Sequence, residues 1–268
     1  MTDNQRIIVK ENAAMLAQKA TSLFHQTAKE SIDRRGRFVV AISGGTTPRR
    51  MYRMLAEEPC GSAIPWNKTY IFWADERCVP ENDPASNYGA AKNDFLNRVP
   101  VPEAQVYPMP GELPPKQGAL KYQKALIDFF HLEDGQVPIF DLILLGMGTD
   151  GHTASLFPGH RTVDETKRMV VAVKGGHPNV NRLTLTLPVL NRAKQIIFLI
   201  SGKEKAATLK TVFENPKAQL PVQKIYTLDG ELTWLLDRET ASLLSGDCRL
   251  YTSPSPRDLS TARMPSSA

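Results

Sequence analysis

Four short apolar runs in this chain each end in a polar loop. They are Phe38–Ile42 before loop 43–47, Thr69–Trp73 before 74–78, residues 140–145 before 146–153, and Gln195–Ile200 before 201–205. Segments whose apolar residues are spaced for helices lie around them: 11–32, a stretch opening near Pro48, 87–96, 113–130, 203–213 and 231–244. Residues 169–173 and 183–187 are further strand candidates. A strand apolar on both faces must be covered on both faces, and strand–helix alternation builds a largely parallel sheet with helices packed against it. In such sheets ligands bind beyond the carboxyl ends of the strands. The four polar loops therefore mark where a site is expected.

Composition narrows the class. The chain has 268 residues, of which 41% are hydrophobic, enough for one sizeable core. A single domain over 1–244 is expected, followed by a Ser-, Pro- and Arg-rich tail over 245–268 that is too polar to offset its ordering entropy. That tail is expected to be disordered and extraneous to the natural protein. The formal charge is +5, and the basic residues are scattered rather than gathered in a stripe. This argues against a nucleic-acid partner and suits a pocket for small anions. The N-terminal stretch MTDNQRIIVKENAAML does not read as a signal peptide, and no apolar run approaches a membrane span. A soluble, cytoplasmic protein without a membrane partner is expected. Three widely spaced cysteines form no C-x-x-C pair, so neither a zinc ribbon nor a disulfide framework is indicated.

The stretch LLGMGTDGHTASLFPG, residues 144–159, poses the sharpest question. Gly146, Gly148 and Gly151 spell G-x-G-x-x-G after a strand, the dinucleotide pattern. Two requirements fail. Pro158 leaves room for at most about two helical turns, and the next strand runs into Lys174 instead of an acid for the ribose hydroxyls. What remains is Asp150-Gly151-His152, a carboxylate that can orient an imidazole, the group that titrates near neutrality without help.

Other loops add anion-binding chemistry. Ser43, Gly44, Gly45, Thr46 and Thr47 precede Pro48: glycines for close backbone approach, hydroxyl donors, and a helix start offering free N–H groups. It is not a Walker A loop. The plain alternative is an ordinary turn with Thr47 as N-cap. Asp75-Glu76-Arg77 ends a strand, which favours a site role for at least one of the three over a solvated charge cluster. Arg182, at the opening of a strand candidate, and Lys205, in a loop-to-helix turn, are candidate phosphate clamps, with solvent exposure as the alternative. No metal-ligand spacing and no G-x-S-x-G elbow occurs, so chemistry without a metal or an acyl-serine is expected.

Five blocks then carry a family resemblance: AISGGTTPRRMYRML, WADERCVPENDPASNYG, DLILLGMGTDGHTASLFPG, RLTLTLPVLNRAKQIIFLISGKEKAATLK and LTWLLDRE. In this order, across about residues 40–244, they resemble the 6-phosphogluconolactonases of the glucosamine-6-phosphate isomerase/6-phosphogluconolactonase superfamily. The resemblance implies a modified doubly wound, Rossmann-like α/β fold, with a mostly parallel sheet flanked by helices. It also implies hydrolysis of 6-phospho-D-glucono-1,5-lactone in the oxidative pentose phosphate pathway, no cofactor and no obligate protein partner. It implies that Ser43 to Thr47, Arg182 and Lys205 hold the sugar phosphate. The resemblance further implies that His152 is the acid–base residue with Asp150 beside it, and that Arg77 is a polar contact in the active site. The isomerase branch resembles GHIAFNEPG at this point, with a Glu that helps open the sugar ring; here that position is Phe157. A catalytically silent sugar-phosphate binder is the reading from a different class.

Overall fold

The computed structural model describes residues 4–245. The tail assignment concerns residues that, past 245, lie outside the described ones. Strands β1 (Gln5–Lys10), β2 (Phe38–Ile42) and β3 (Thr69–Trp73) belong to a seven-stranded sheet, whereas β4 (Asp75–Arg77) does not. β5 (Val106–Tyr107) and β6 (Leu142–Leu145) return to the large sheet. β7 (Val170–Gly175) and β8 (Val180–Leu185) leave it again, and β9 (Gln195–Ile200) and β10 (Glu231–Asp237) complete it. Its order is β1-β10-β9-β6-β2-β3-β5, and every pair is parallel.

The helices are α1 (Ala13–Arg35), α2 (Thr46–Leu55), the short α3 (Cys60–Ala63), α4 (Asn87–Asp94), α5 (Pro115–Phe130), the short α6 (Leu187–Leu190) and α7 (Ala206–Glu214). Local sequence fixes their ends. The Asn12 side chain accepts from the N–H groups of Ala14 and Met15, which starts α1, and a left-handed Gly36 stops it. All five residues of β2 are buried, as expected for a central parallel strand.

Three differences from the sequence reading have physical causes. Residues 231–244, expected to be helical, form β10 followed by a single 3₁₀ turn, Thr240–Leu243. β10 lies between β1 and β9 and is buried along six of its seven residues, so its apolar run fits helix and strand periods equally. β1 escaped notice because its flanks are polar and only Ile7 is fully buried. The strand candidates at 169–173 and 183–187 are strands, shifted slightly, but they pair antiparallel with β4 in a separate sheet. The link 176–179 between them is too short for a parallel crossover.

Chain order creates the cleft. From β2 the sheet grows through β3 to β5 on one side, and on the other β6, β9 and β10 follow. The loops after β2 and β6 therefore part at the switch point, where ligands collect in this architecture. The Ser43 hydroxyl donates to the Leu144 carbonyl at 2.8 Å and ties the two strand ends together. At the opposite end of the sheet, buried Asp141 accepts from the Val39 N–H at 2.9 Å, Arg35 at 2.7 Å and Lys194 at 3.0 Å. Asp141→Ala strands that N–H and two cations. It should cost about 2–4 kcal/mol, read as a lower denaturant midpoint at unchanged slope.

Candidate active site

Gly45 is the N-cap of α2, with φ of 104° and no side-chain hydrogen bond to the first turn. Thr47 is thus inside the helix and not its cap. The first-turn N–H groups lack the side-chain acceptor that Ser, Asp or Asn would supply, which suits them to an external anion. Ser43 through Pro48 line a cleft of about 250 Å³.

The opposite wall comes from the small sheet. Ala74 bridges the two sheets: its N–H donates to Ile42 and its carbonyl accepts from Leu185, both at 2.8 Å. β4 and β8 then pair with Asp75 opposite Thr184 and Arg77 opposite Arg182. Both guanidinium groups reach the cleft, as does Asp75. Arg77 donates through Nη1 to the Ala85 carbonyl (2.8 Å) and the Asn87 side-chain oxygen (2.7 Å), while its buried Nε has no partner. Arg182 is almost wholly buried; it donates to the Gly175 carbonyl at 3.0 Å and stands 5.6 Å from the Phe157 ring centre. Burial first, then the charge of Arg77, holds its guanidinium below the usual range. Arg182 sits inside β8 rather than opening it. Like charges facing across a strand pair repel, and an anion between them relieves that cost.

The floor is the loop after β6. No helix follows Gly151. Instead the Gly148 N–H donates to the His152 carbonyl at 2.9 Å, and Thr153 pairs with Leu156 in an isolated bridge. The loop folds back and sets the His152 Nδ1 2.5 Å from Asp150 Oδ1, which also accepts the His152 backbone N–H at 3.1 Å. Burial pulls the Asp150 carboxyl upward. The His152 backbone N–H, the imidazole charge and the side-chain bond outweigh it and keep the carboxyl below its ordinary value. An ionised Asp150 accepts a hydrogen bond from Nδ1–H, and in that tautomer the neutral ring presents its lone pair on Nε2. Gly148 makes this pair possible: a Cβ there would lie 2.1 Å from His152 Nδ1 and 2.6 Å from Asp150 Oδ1.

The last loop is set by the end of β10. Asp237 accepts from the Ser201 hydroxyl at 2.5 Å and from the Gly202 N–H at 3.2 Å, which fixes the turn carrying Lys205. Burial lowers the Lys205 ammonium below its ordinary value against the pull of Glu204 and Asp237. Of the ten residues expected from the sequence, nine line this one cleft, and Asp150 is held behind His152. Asp75, one of the trio 75–77 in which a site role for at least one was expected, lines it too, and so does Asn87, which was not foreseen. Asn87 lay within the second family block but carried no sign of its role, because only tertiary folding brings α4 under β4. A larger groove of about 490 Å³ lies at the amino ends of β9 and β10, away from all four loops. Among the described residues no cluster of three or more His, Cys, Asp or Glu side chains could hold a metal ion.

A sequence model of the glucosamine-6-phosphate isomerases/6-phosphogluconolactonase family matches residues 11–234. The chain belongs to this family. Relatives within it include a 6-phosphogluconolactonase of Synechocystis sp., 40% identical over 237 residues that span 87% of this chain and 95% of that protein. A 6-phosphogluconolactonase of Rattus norvegicus is 37% identical over 236 residues, covering 87% and 88% of the two chains. The solved 6-phosphogluconolactonase from Trypanosoma cruzi superposes with a TM-score of 0.81 at 29% identity, over 91% of this chain and 98% of that one. Family membership fixes the modified doubly wound α/β fold. The ring of Phe157, the position where the isomerase branch is expected to carry Glu, is buried, 5.0 Å from the His152 ring and beneath Arg182. Among the described residues no helix is long and apolar enough to cross a membrane.

Proposed function

We propose that this chain hydrolyses 6-phospho-D-glucono-1,5-lactone to 6-phosphogluconate, the lactone-opening step of the oxidative pentose phosphate pathway. One observation carries the reading. The His152–Asp150 pair stands in the same 250 Å³ cleft as an uncapped helix start and three cationic side chains, Arg77, Arg182 and Lys205. An acid–base group beside an anion cradle suits a substrate that is phosphorylated at one end and electrophilic at the other.

His152 Nε2 accepts a proton from water as its oxygen bonds to C1. The carbonyl electrons move onto the former carbonyl oxygen. When the carbonyl re-forms, the bond from C1 to the ring oxygen breaks, and the imidazolium gives that oxygen the proton it took. Asp150 fixes the ring and stabilises its charged form between the two transfers. Arg77 is assigned to the developing oxyanion, a contact worth about 3–4 kcal/mol when well aimed. The loop from Ser43 to Thr47, with Arg182 and Lys205, holds the phosphate and so fixes C1 against His152. Cofactor and protein partner have no part in this reading.

The testing experiment is direct. Purified protein is added to freshly generated 6-phosphogluconolactone, and its loss is followed above the spontaneous rate. Loss at the spontaneous rate rejects the hydrolase and leaves the silent binder. The same protein with glucosamine 6-phosphate tests the isomerase branch, which the apolar Phe157 disfavours. Arg182→Ala should raise KM for the phosphorylated lactone roughly 10–100-fold, the value of one charged hydrogen bond, with a smaller change in kcat. An unchanged KM removes Arg182 from the phosphate site.

A further inference from the structure

We infer that Glu76 is a positioning residue for Arg77: its ionised carboxylate staples the start of α4 to β4, and the staple aims the Arg77 guanidinium into the cleft. The inference rests on the role proposed for Arg77.

Strand alternation sets up the arrangement. Asp75 and Arg77 point to the cleft, so Glu76 between them points the other way. It is 2% exposed and borders a separate cavity of about 300 Å³ behind the cleft, beside Tyr88 and Met109. A carboxylate there is costly unless its oxygens are bonded. Oε1 accepts the N–H groups of Arg77 (2.7 Å) and Asn87 (2.8 Å), and Oε2 accepts the Tyr88 N–H (2.7 Å) and, at 3.4 Å, the Ser86 hydroxyl. No cation forms an ion pair with it among the described residues. Two of these donors are first-turn N–H groups of α4, which otherwise lack partners.

The grip passes on through Asn87. With its backbone held by Glu76, the Asn87 side chain donates to the Asp75 carbonyl at 2.8 Å and accepts from Arg77 Nη1 at 2.7 Å. The adjoining Ala85 carbonyl takes the same Nη1 at 2.8 Å. The whole excursion 78–86 is thus folded back so that its end braces the guanidinium at its start. All four donors need an acceptor, and only the carboxylate offers two oxygens without a hydrogen.

Protonation therefore loosens the staple. Burial pushes the Glu76 carboxyl up to about 7, against the Asn87, Tyr88 and Arg77 N–H groups and with help from the Asp75 charge. Cys78, Tyr122 and Arg182 are the other titratable groups coupled to it, and Glu81, Glu112 and Lys121 face it across the rear cavity. Because the folded value lies above the ordinary 4.5, Glu76 adds to stability below that pH, and the contribution is lost as pH rises through about 7. The staple runs the opposite way: it is made above about 7 and released below.

Glu76→Gln imitates the protonated form. The ratio of wild-type to Glu76→Gln kcat/KM should climb from about twofold near pH 6 to about tenfold near pH 8. A ratio that stays flat with pH, whatever its size, overturns the inference. In an Arg77→Ala background the same substitution should change kcat/KM less than about twofold at pH 8, and full additivity overturns it. If Glu76→Gln does not fold, the ratio of wild type to Arg77→Ala carries the test. That ratio must rise through about pH 7, and a flat one overturns the inference. Full activity in Arg77→Ala would remove the proposed role of Arg77 itself. Impaired Arg77→Ala with a flat Glu76→Gln ratio fails the staple alone.

Discussion

His152→Ala is expected to lower kcat on the phosphorylated lactone by roughly 10²- to 10⁴-fold, the usual worth of one acid–base group. KM should change little, because the proposed phosphate contacts lie elsewhere in the cleft: at the α2 start, Arg182 and Lys205. The fold should tolerate the change. The ring is partly exposed, with its side chain 31% accessible, and its polar partner is Asp150 in the same loop. The measurement is kcat against fresh lactone with the spontaneous rate subtracted, beside a thermal melt. Turnover near that of the wild type would take His152 out of the mechanism. A large rise in KM at constant kcat would recast it as a binding group.

Gly148→Ala is expected to cost nearly as much activity, about 10²-fold or more in kcat, without touching a reacting atom. The added methyl would fall 2.1 Å from His152 Nδ1, 2.2 Å from its Cε1 and 2.6 Å from Asp150 Oδ1. Something must move. The partly exposed imidazole moves more cheaply than the backbone, so the ring leaves Asp150 and the base loses its aim. Stability should fall by no more than about 1–2 kcal/mol, since no core contact is lost. Separation of the two readouts is the point: a stable protein with poor turnover. Unchanged kcat would mean that the Asp150–His152 alignment is dispensable. Loss of activity only in proportion to unfolded protein would make Gly148 a folding residue.

The site was legible where chemistry and position coincide. Four apolar strands each ended in a polar loop, and strand-end loops are where this architecture binds ligands. That logic singled out Ser43–Thr47, Arg77, His152 and Lys205 without knowledge of strand order. The rejection of a dinucleotide loop was legible too, from Pro158 and Lys174; the structure goes further and forms no helix directly after Gly151, where residues 151–160 are turns and an isolated bridge. Asn87 was not read as a site residue, and Glu76 was read only as one of three charges of which at least one was expected in the site. An asparagine at a helix start reads as a cap, and a lone sequence gives no way to tell which of the three charges turns inward. Their roles come from contacts 11 residues apart in the chain, such as Glu76 to Asn87. The 231–244 segment failed for another reason. Burial on both faces of β10 erased the period that separates strand from helix. That error hid Asp237, whose place at a strand end lets it hold the Lys205 turn.

By itself the sequence determined the class of fold, the family blocks, and the residue types that meet at the strand ends. Those follow from local rules: apolar runs seek cover on both faces, glycines permit close approach, and polar side chains after a strand face solvent or ligand. Only the tertiary structure decided the partners. It set Arg77 against Arg182 across β4 and β8, folded α4 beneath β4, and closed loop 146–153 so that Gly148 clears room for His152. The physical reason is range. Propensity and periodicity act over a few residues, whereas hydrogen bonds, charge and close packing act over ångströms between segments that the chain leaves far apart.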